Sequence, residues 1–244
     1  MTVDYNANLG RWPFRRLPLE EAANYAVKAK ALGITQAWMG SLEGVFHQEL
    51  RGVNQRLARA CQGEKSISLL PAVSINPALP DWQEDLRLCK EELGVKAIRL
   101  HPNYHGYNLS DESFHLLLAK AQGEFQVQIV LRMEDERTQH PLMRVAPVDL
   151  KPLEAALIKA PLARVQVLNG MQELRGELGK SLARTGRVFF DWAMLEGAGG
   201  LEKAAANLGE KALLLGTHAP LFHPESAILK LKESSLRTLG MSTP

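Results

Sequence analysis

Apolar residues in this chain gather in short runs, and the longer segments between them carry apolar residues every three or four positions. The runs are ITQAWMGS (34–41), ISLLPAVSIN (67–76), VKAIRLHPN (95–103), VQIVLRM (127–133), ARVQVLNG (163–170), RVFFDWAM (187–194) and ALLLGTHAP (212–220). Short apolar runs bounded by turn residues predict buried strands. The intervening segments, among them LEEAANYAVKAKAL (19–32), DWQEDLRLCKEEL (81–93) and DESFHLLLAKAQ (111–122), have helical spacing and strong helix formers. DWQEDLRLCKEEL stops at Gly94, as a helix C-terminus does. A last helix is predicted over 224–239. With the opening VDYNAN, eight strand–helix units fill the chain. That count and the near-continuous apolar strands predict an α/β protein, a (β/α)8 TIM barrel in a single domain over 1–244. The rival is an open doubly wound sheet, but no GxGxxG follows the first strand.

In such a barrel chemistry collects at the C-terminal ends of the strands. Asn6 and Asn8 end the first, two apart and so on one side. Ser41 and Glu43 end the second, with His47 beyond, where the bland reading is a helix start. Ser74 and Asn76 end the third. Arg99, His101 and Asn103 end the fourth, with His105 in the following loop. Arg132 ends the fifth, Asn169 the sixth, Asp191 the seventh, and Thr217 and His218 the eighth. Five of the seven histidines (101, 105, 140, 218 and 223) follow predicted strands, whereas His115 sits mid-helix as a surface or core-edge residue. Each has a structural alternative: His101 bonding backbone before a proline, Asn169 serving a turn before Gly170, RMEDER as a solvated charge run. Asp191, between aromatics, needs a partner when buried, and Arg132 is one choice.

Composition narrows the function classes. Apolar content of 45% and charged content of 23% fit a globular protein. A net charge of +2 without a basic stripe argues against nucleic acid. No apolar stretch of membrane-spanning length and no leader-like N-terminus appear, so a cytoplasmic location is expected. Cys61 and Cys89 both fall in helical segments and suggest no disulfide.

Three segments, VDYNANLGRWPF, GVKAIRLHPNYHGYNL and LLLGTHAPLFHPESA, resemble the amidohydrolase-related family of TIM-barrel metal-dependent hydrolases and nonoxidative decarboxylases, over about residues 3 to 235. The resemblance implies ligand positions that here hold other residues. The first metal pair would fall on Asn6 and Asn8, the fifth-strand histidine near Arg132, the sixth-strand histidine on Asn169, and the eighth-strand aspartate on His218. Amides are poor zinc ligands. The usual metal site is therefore expected to be absent, with no cofactor. A relocated zinc or manganese would use His101, His105 and His218, with Asp191. The leading expectation is an amidohydrolase-like enzyme hydrolysing or decarboxylating a small anionic carbonyl compound. His101, His105, His218 and Asp191 would be its catalytic group. Asn6, Asn8, Arg99, Arg132 and Asn169 would bind substrate. The alternative is a catalytically inactive barrel that binds a partner, its pocket filled by Trp12 or Tyr104. A homodimer is also expected.

Overall fold

Eight strands, Val3–Leu9 (β1), Gln36–Ser41 (β2), Ser68–Ser74 (β3), Ala97–Leu100 (β4), Gln126–Val130 (β5), Arg164–Leu168 (β6), Val188–Asp191 (β7) and Leu213–Leu214 (β8), pair in parallel in sequence order in the computed structural model, which describes residues 1–236. The chain beyond β8 returns to β1. Tyr5 N donates to Leu215 O at 2.8 Å, Asn8 N to Ala219 O at 2.7 Å, and His218 N to Asn6 O at 2.6 Å. These bonds close the ring into a (β/α)8 barrel.

Among the described residues the helices are Ala22–Ala31 (α1), Leu50–Gly63 (α2), Trp82–Glu91 (α3), Pro102–His105 (α4), Glu112–Ala121 (α5), Leu153–Lys159 (α6), Glu177–Arg184 (α7), Gly200–Leu208 (α8) and Pro224–Glu233 (α9), and the longer ones form the outer layer. Their spacing explains their seating. α5 buries Phe114, Leu117, Leu118 and Ala121, positions i, i+3, i+4 and i+7 of one face. These side chains pack on outward residues of the strands, such as Ile98, Val127 and Ile129, in one continuous core between sheet and helices. Cys61 and Cys89 lie in that core as free thiols. Among the described residues no helix is long and apolar enough to cross a membrane.

Three expectations need adjustment. The eighth strand, expected over 212–220, keeps ladder geometry only at Leu213–Leu214. Gly216 presses against Asp191, where a Cβ would stand 2.5 Å from Oδ2, and His218 turns left-handed at φ 54°, which takes the chain off the sheet. The loop expected after His101 is instead the turn α4. Pro102 at its first position suits a helix start, and Gly106 in the left-handed region ends it. Of the last helix, residues 237–239 lie outside the described residues.

The barrel interior is layered by a shift in β1. Pairing with β2 slips between Asp4 and Ala7. Val3 and Tyr5 therefore face the lower lumen with Phe189 and Leu214, while Asn6 and Asn8 face the upper lumen. Asp4 turns outward. Its carboxylate accepts bonds from Tyr25 Oη (2.7 Å), Thr217 Oγ1 (2.6 Å) and the backbone N of Thr217 and Asn6 (3.0 Å each). It thereby ties β1, α1 and the chain after β8 at the seam where the ring closes.

Candidate active site

Arg99 crosses the middle of the lumen from β4 and is fully buried. Its Nε donates to Gln128 Oε1 at 2.7 Å, Nη1 to Ala7 O and Asn8 Oδ1 at 2.7 Å each, and Nη2 to Trp38 O at 3.2 Å and Tyr5 O at 3.4 Å. A guanidinium has five N–H donors, and all are engaged. Gln128 continues the layer to Tyr5 O and Gln166 Oε1. Gly40 makes the crossing feasible, since a Cβ there would stand 2.3 Å from Arg99 Nη1. Burial pulls Arg99 down to about 10, still protonated at neutral pH. No carboxylate touches it, and Asp4 and Asp191 act on it only through space.

Above this layer lies a chain of side-chain hydrogen bonds. Asp191 Oδ2 accepts from Asn6 Nδ2, and its Oδ1 accepts from the backbone N of Asn169 (3.1 Å) and Ala193 (3.3 Å). Asn6 Nδ2 also donates to Asn169 Oδ1 at 2.6 Å. Asn169, left-handed at φ 61°, which Asn tolerates, directs Nδ2 to Arg132 O at 2.7 Å and to His218 Nδ1 at 3.3 Å. His218 Nε2 lies 2.7 Å from Met133 O. A carbonyl only accepts, so Nε2 carries the proton and Nδ1 is the acceptor facing Asn169. Five elements of the barrel top are thus linked by side-chain hydrogen bonds. Burial raises Asp191 to about 6 and lowers His218 to about 4.

His101 stands apart. It is fully buried two residues beyond Arg99, on the same lumen side, and among the described residues neither ring nitrogen has a partner. Its ring meets that of His105 edge-on with centroids 5.7 Å apart. His105 Nε2 donates to Gly44 O at 2.9 Å, which leaves Nδ1 bare. Burial and the neighbouring His105, Arg99 and His218 push the His101 pKa well down, so the imidazole is neutral. The mouth above is roofed by Trp12, Leu17, Leu42, Val45, Met133 and Leu221, with Tyr104 and Phe222 packed on them.

The structure thus gathers Asn6, Asn169, Asp191 and His218 into one network and brings His101 and His105 together beside it. The expected carboxylate clamp of Arg99 and Arg132 does not form. Arg99 spends its donors inside the barrel. Arg132 pairs with Glu173 (2.8 and 3.3 Å) and with Asn169 O. Nor is Arg132 the partner of Asp191, whose charge is met by Asn6 and two backbone N–H groups. Asn8 serves Arg99, not a ligand. His140, His223 and His47 are exposed and stay outside the centre, and Glu43 pairs with Arg56. The sequence reading missed Gln128, Gln166 and Glu173 as members, and placed Ser74 at the end of the third strand without giving it a role. The two glutamines had a signal: each interrupts an apolar strand at the lumen-facing phase.

Among known proteins, no family model and no curated sequence matches the chain. Solved structures do match. An uncharacterized TIM-barrel protein from Bordetella bronchiseptica superposes at TM-score 0.72 with 14% identity, covering 98% of this chain and 93% of its own. 5-Carboxyvanillate decarboxylase from Novosphingobium aromaticivorans, complexed with manganese and 4-hydroxy-3-methoxy-5-nitrobenzoic acid, gives 0.71 at 13%, covering 98% and 92%. 2,6-Dihydroxybenzoate decarboxylase from Rhizobium gives 0.70 at 11%, covering 96% and 92%. The fold is that of the amidohydrolase-related TIM barrels.

The residues here do not fit a bound divalent cation. At the positions the resemblance assigns to ligands, Asn8 Oδ1 faces a guanidinium, Asn169 Oδ1 accepts from Asn6, His218 Nε2 faces a carbonyl, and Arg132 is itself a cation. The relocated set is not assembled either, because Asn169 and Met133 occupy both His218 nitrogens. Among the described residues no three His, Cys, Asp or Glu side chains are grouped to hold a metal. Protein incubated with excess Zn²⁺ or Mn²⁺ and then desalted is expected to carry well below one equivalent by mass spectrometry. A stoichiometric ion removed by chelator would overturn this assignment.

Proposed function

We propose, with the amidohydrolase-related barrel as premise, that the chain is a metal-independent enzyme that hydrolyses or decarboxylates a small anionic carbonyl compound at the barrel mouth, with His101 as the group that meets the substrate. The observation that carries this reading is the imidazole of His101, sealed at the end of β4 with both nitrogens unpaired. An unsatisfied buried polar group costs about 1–3 kcal/mol. A ligand that hydrogen-bonds His101 removes that cost. As a neutral ring it donates through one nitrogen and accepts through the other. Asp191, Asn6, Asn169 and His218 act as positioning residues, since their hydrogen bonds are spent on one another. Arg132 is buried and its charge is met by Glu173, so it offers a substrate only its Nε–H. Among the described residues its Nε–H makes no hydrogen bond.

Entry requires the segment bearing Trp12 to move. The closed roof and the self-satisfied network favour a second reading, a catalytically inactive barrel that binds the same ligand. A screen of small carboxylates, amides and lactones by thermal shift, with product analysis by mass spectrometry, separates them. A ligand that stabilises the parent protein but not His101→Phe, and is turned over with a loss of about 100-fold or more in that variant, is the expected result. Binding at His101 without turnover supports the second reading. Absence of any His101-dependent ligand would sink both.

A further inference from the structure

Ser74 is held with unusual care for a residue whose hydroxyl has no hydrogen-bond partner among the described residues. It pairs in register with Arg99, so its side chain lies on the lumen side. The buried Asn54 of α2 grips both of its backbone groups: Ser74 N donates to Asn54 Oδ1 at 2.9 Å, and Asn54 Nδ2 donates to Ser74 O at 2.8 Å. The turn Glu43–Val45 closes directly over the hydroxyl. A Cβ on Gly44 would stand 2.1 Å from Ser74 Oγ, so only glycine fits there. The carbonyl of that same Gly44 fixes the His105 ring through Nε2. Among the described residues Ser74 Oγ and His105 Nδ1 are both buried and both unpartnered, and the His105 ring meets that of His101, whose two nitrogens are also free.

We infer that Ser74 is a catalytic nucleophile, with His105 as its general base and the Gly44 carbonyl as the group that fixes the base's tautomer. The three supply the parts of an activated nucleophile: a hydroxyl, an imidazole with one bare nitrogen, and an acceptor on the other nitrogen. The inference rests on the proposed function and specifies it as acyl transfer. His105 Nδ1 takes the Ser74 proton as Oγ bonds to the substrate carbonyl carbon, and His101 donates a hydrogen bond to the carbonyl oxygen. The carbon–leaving-group bond then breaks, and the leaving amine or alkoxide takes the proton from His105. Water attacks the acyl–Ser74 ester, His105 receives its proton, the acyl–oxygen bond breaks, and the proton returns to Oγ. Burial lowers the His105 pKa, which keeps the ring neutral and able to accept. Ser74 and His105 are not hydrogen-bonded in the free chain, as is common before substrate tightens a site.

The test uses the full chain and an alkyl fluorophosphonate, which reports an activated serine without knowledge of the substrate. Intact-mass spectrometry is expected to show one adduct, mapped by peptide analysis to Ser74. It should be absent in Ser74→Ala and slowed about 100-fold or more in His105→Gln. Ser74→Ala removes only an unpaired hydroxyl, so its melting temperature should equal or exceed that of the parent, which keeps loss of labelling distinct from misfolding. No adduct on the parent protein, or an adduct elsewhere, overturns the inference. If Ser74→Ala keeps turnover of a ligand found in the His101 screen, the covalent route fails while the proposed function stands. If Ser74 labels but no His101-dependent ligand exists, the nucleophile stands and the proposed role of His101 fails.

Discussion

Arg99→Met is expected to lower the unfolding free energy by a few kcal/mol, on the order of 1–3 kcal/mol for each acceptor left unmet, read from the urea midpoint at constant slope. Replacing a buried ion pair with apolar side chains can be neutral or stabilising, because both desolvation penalties vanish together. That escape is closed here. Arg99 has no anionic partner to remove with it. It is bonded to the carbonyls of Tyr5, Ala7 and Trp38, which no substitution deletes, and to Asn8 and Gln128. Methionine fills a similar space and leaves those acceptors facing hydrocarbon, at about 1–3 kcal/mol for each that finds no replacement. Arg99→Lys should fall between, since three donors on one point cannot serve acceptors spread over β1, β2 and β5. Gly40→Ala attacks the same contact from the other side and should also destabilise. An Arg99→Met protein within about 1 kcal/mol of the parent would show that the lumen relaxes around the loss and that the guanidinium does not brace the barrel.

Stability should also depend on pH, with a sign set by which buried groups titrate. His218 falls from 6.5 in the unfolded chain to about 4 in the barrel. The unfolded chain therefore binds its proton first as pH falls. The stability His218 confers is complete above about 6.5 and lost on descent to about 4, a swing of about 3 kcal/mol. His101 and His105 are displaced in the same direction by burial. Asp191 works the other way. Raised from 3.8 to about 6, it favours the fold below 3.8 and loses that contribution as pH rises to about 6. The Asp191 and His218 swings nearly offset each other, so the net slope between pH 4 and 6.5 is set by His101 and His105, which favour the fold as pH rises, against the buried Asp4, whose pKa burial raises and which acts in the opposite direction. Asp191→Asn should steepen the pH dependence and His218→Asn should flatten it. Both are read as slopes, so a constant loss from the substitution itself does not interfere. A slope unchanged in both variants would mean that neither group is buried in the ionisation state described.

Much of this molecule was legible in its sequence. Seven apolar runs and the opening VDYNAN, alternating with segments of helical spacing, point to a barrel, because strands apolar along most of their length must be covered on both faces. The strand-end rule then located the polar residues, and Asn6, Asn169, Asp191, His101 and His218 do gather at one end of the lumen. The bonds between them were not legible. Asn6 reaches Asp191 across 185 residues, and nothing local in either segment announces the other. Arg99 read as a substrate clamp because a strand-end arginine looks the same in sequence whether it faces solvent or crosses the lumen. The absent side chain of Gly40, on a different strand, decided that. Pro102 and Gly106 carried a signal for the turn at 102–105 that the loop reading passed over, and its consequence, two histidines meeting edge-on, needed the turn to be built. Periodicity is a local property and determined the elements and their order. Donor and acceptor matching is a property of three-dimensional neighbours. Only the closed barrel could decide which polar groups are spent on one another and which, like His101 and Ser74, are left unpaired.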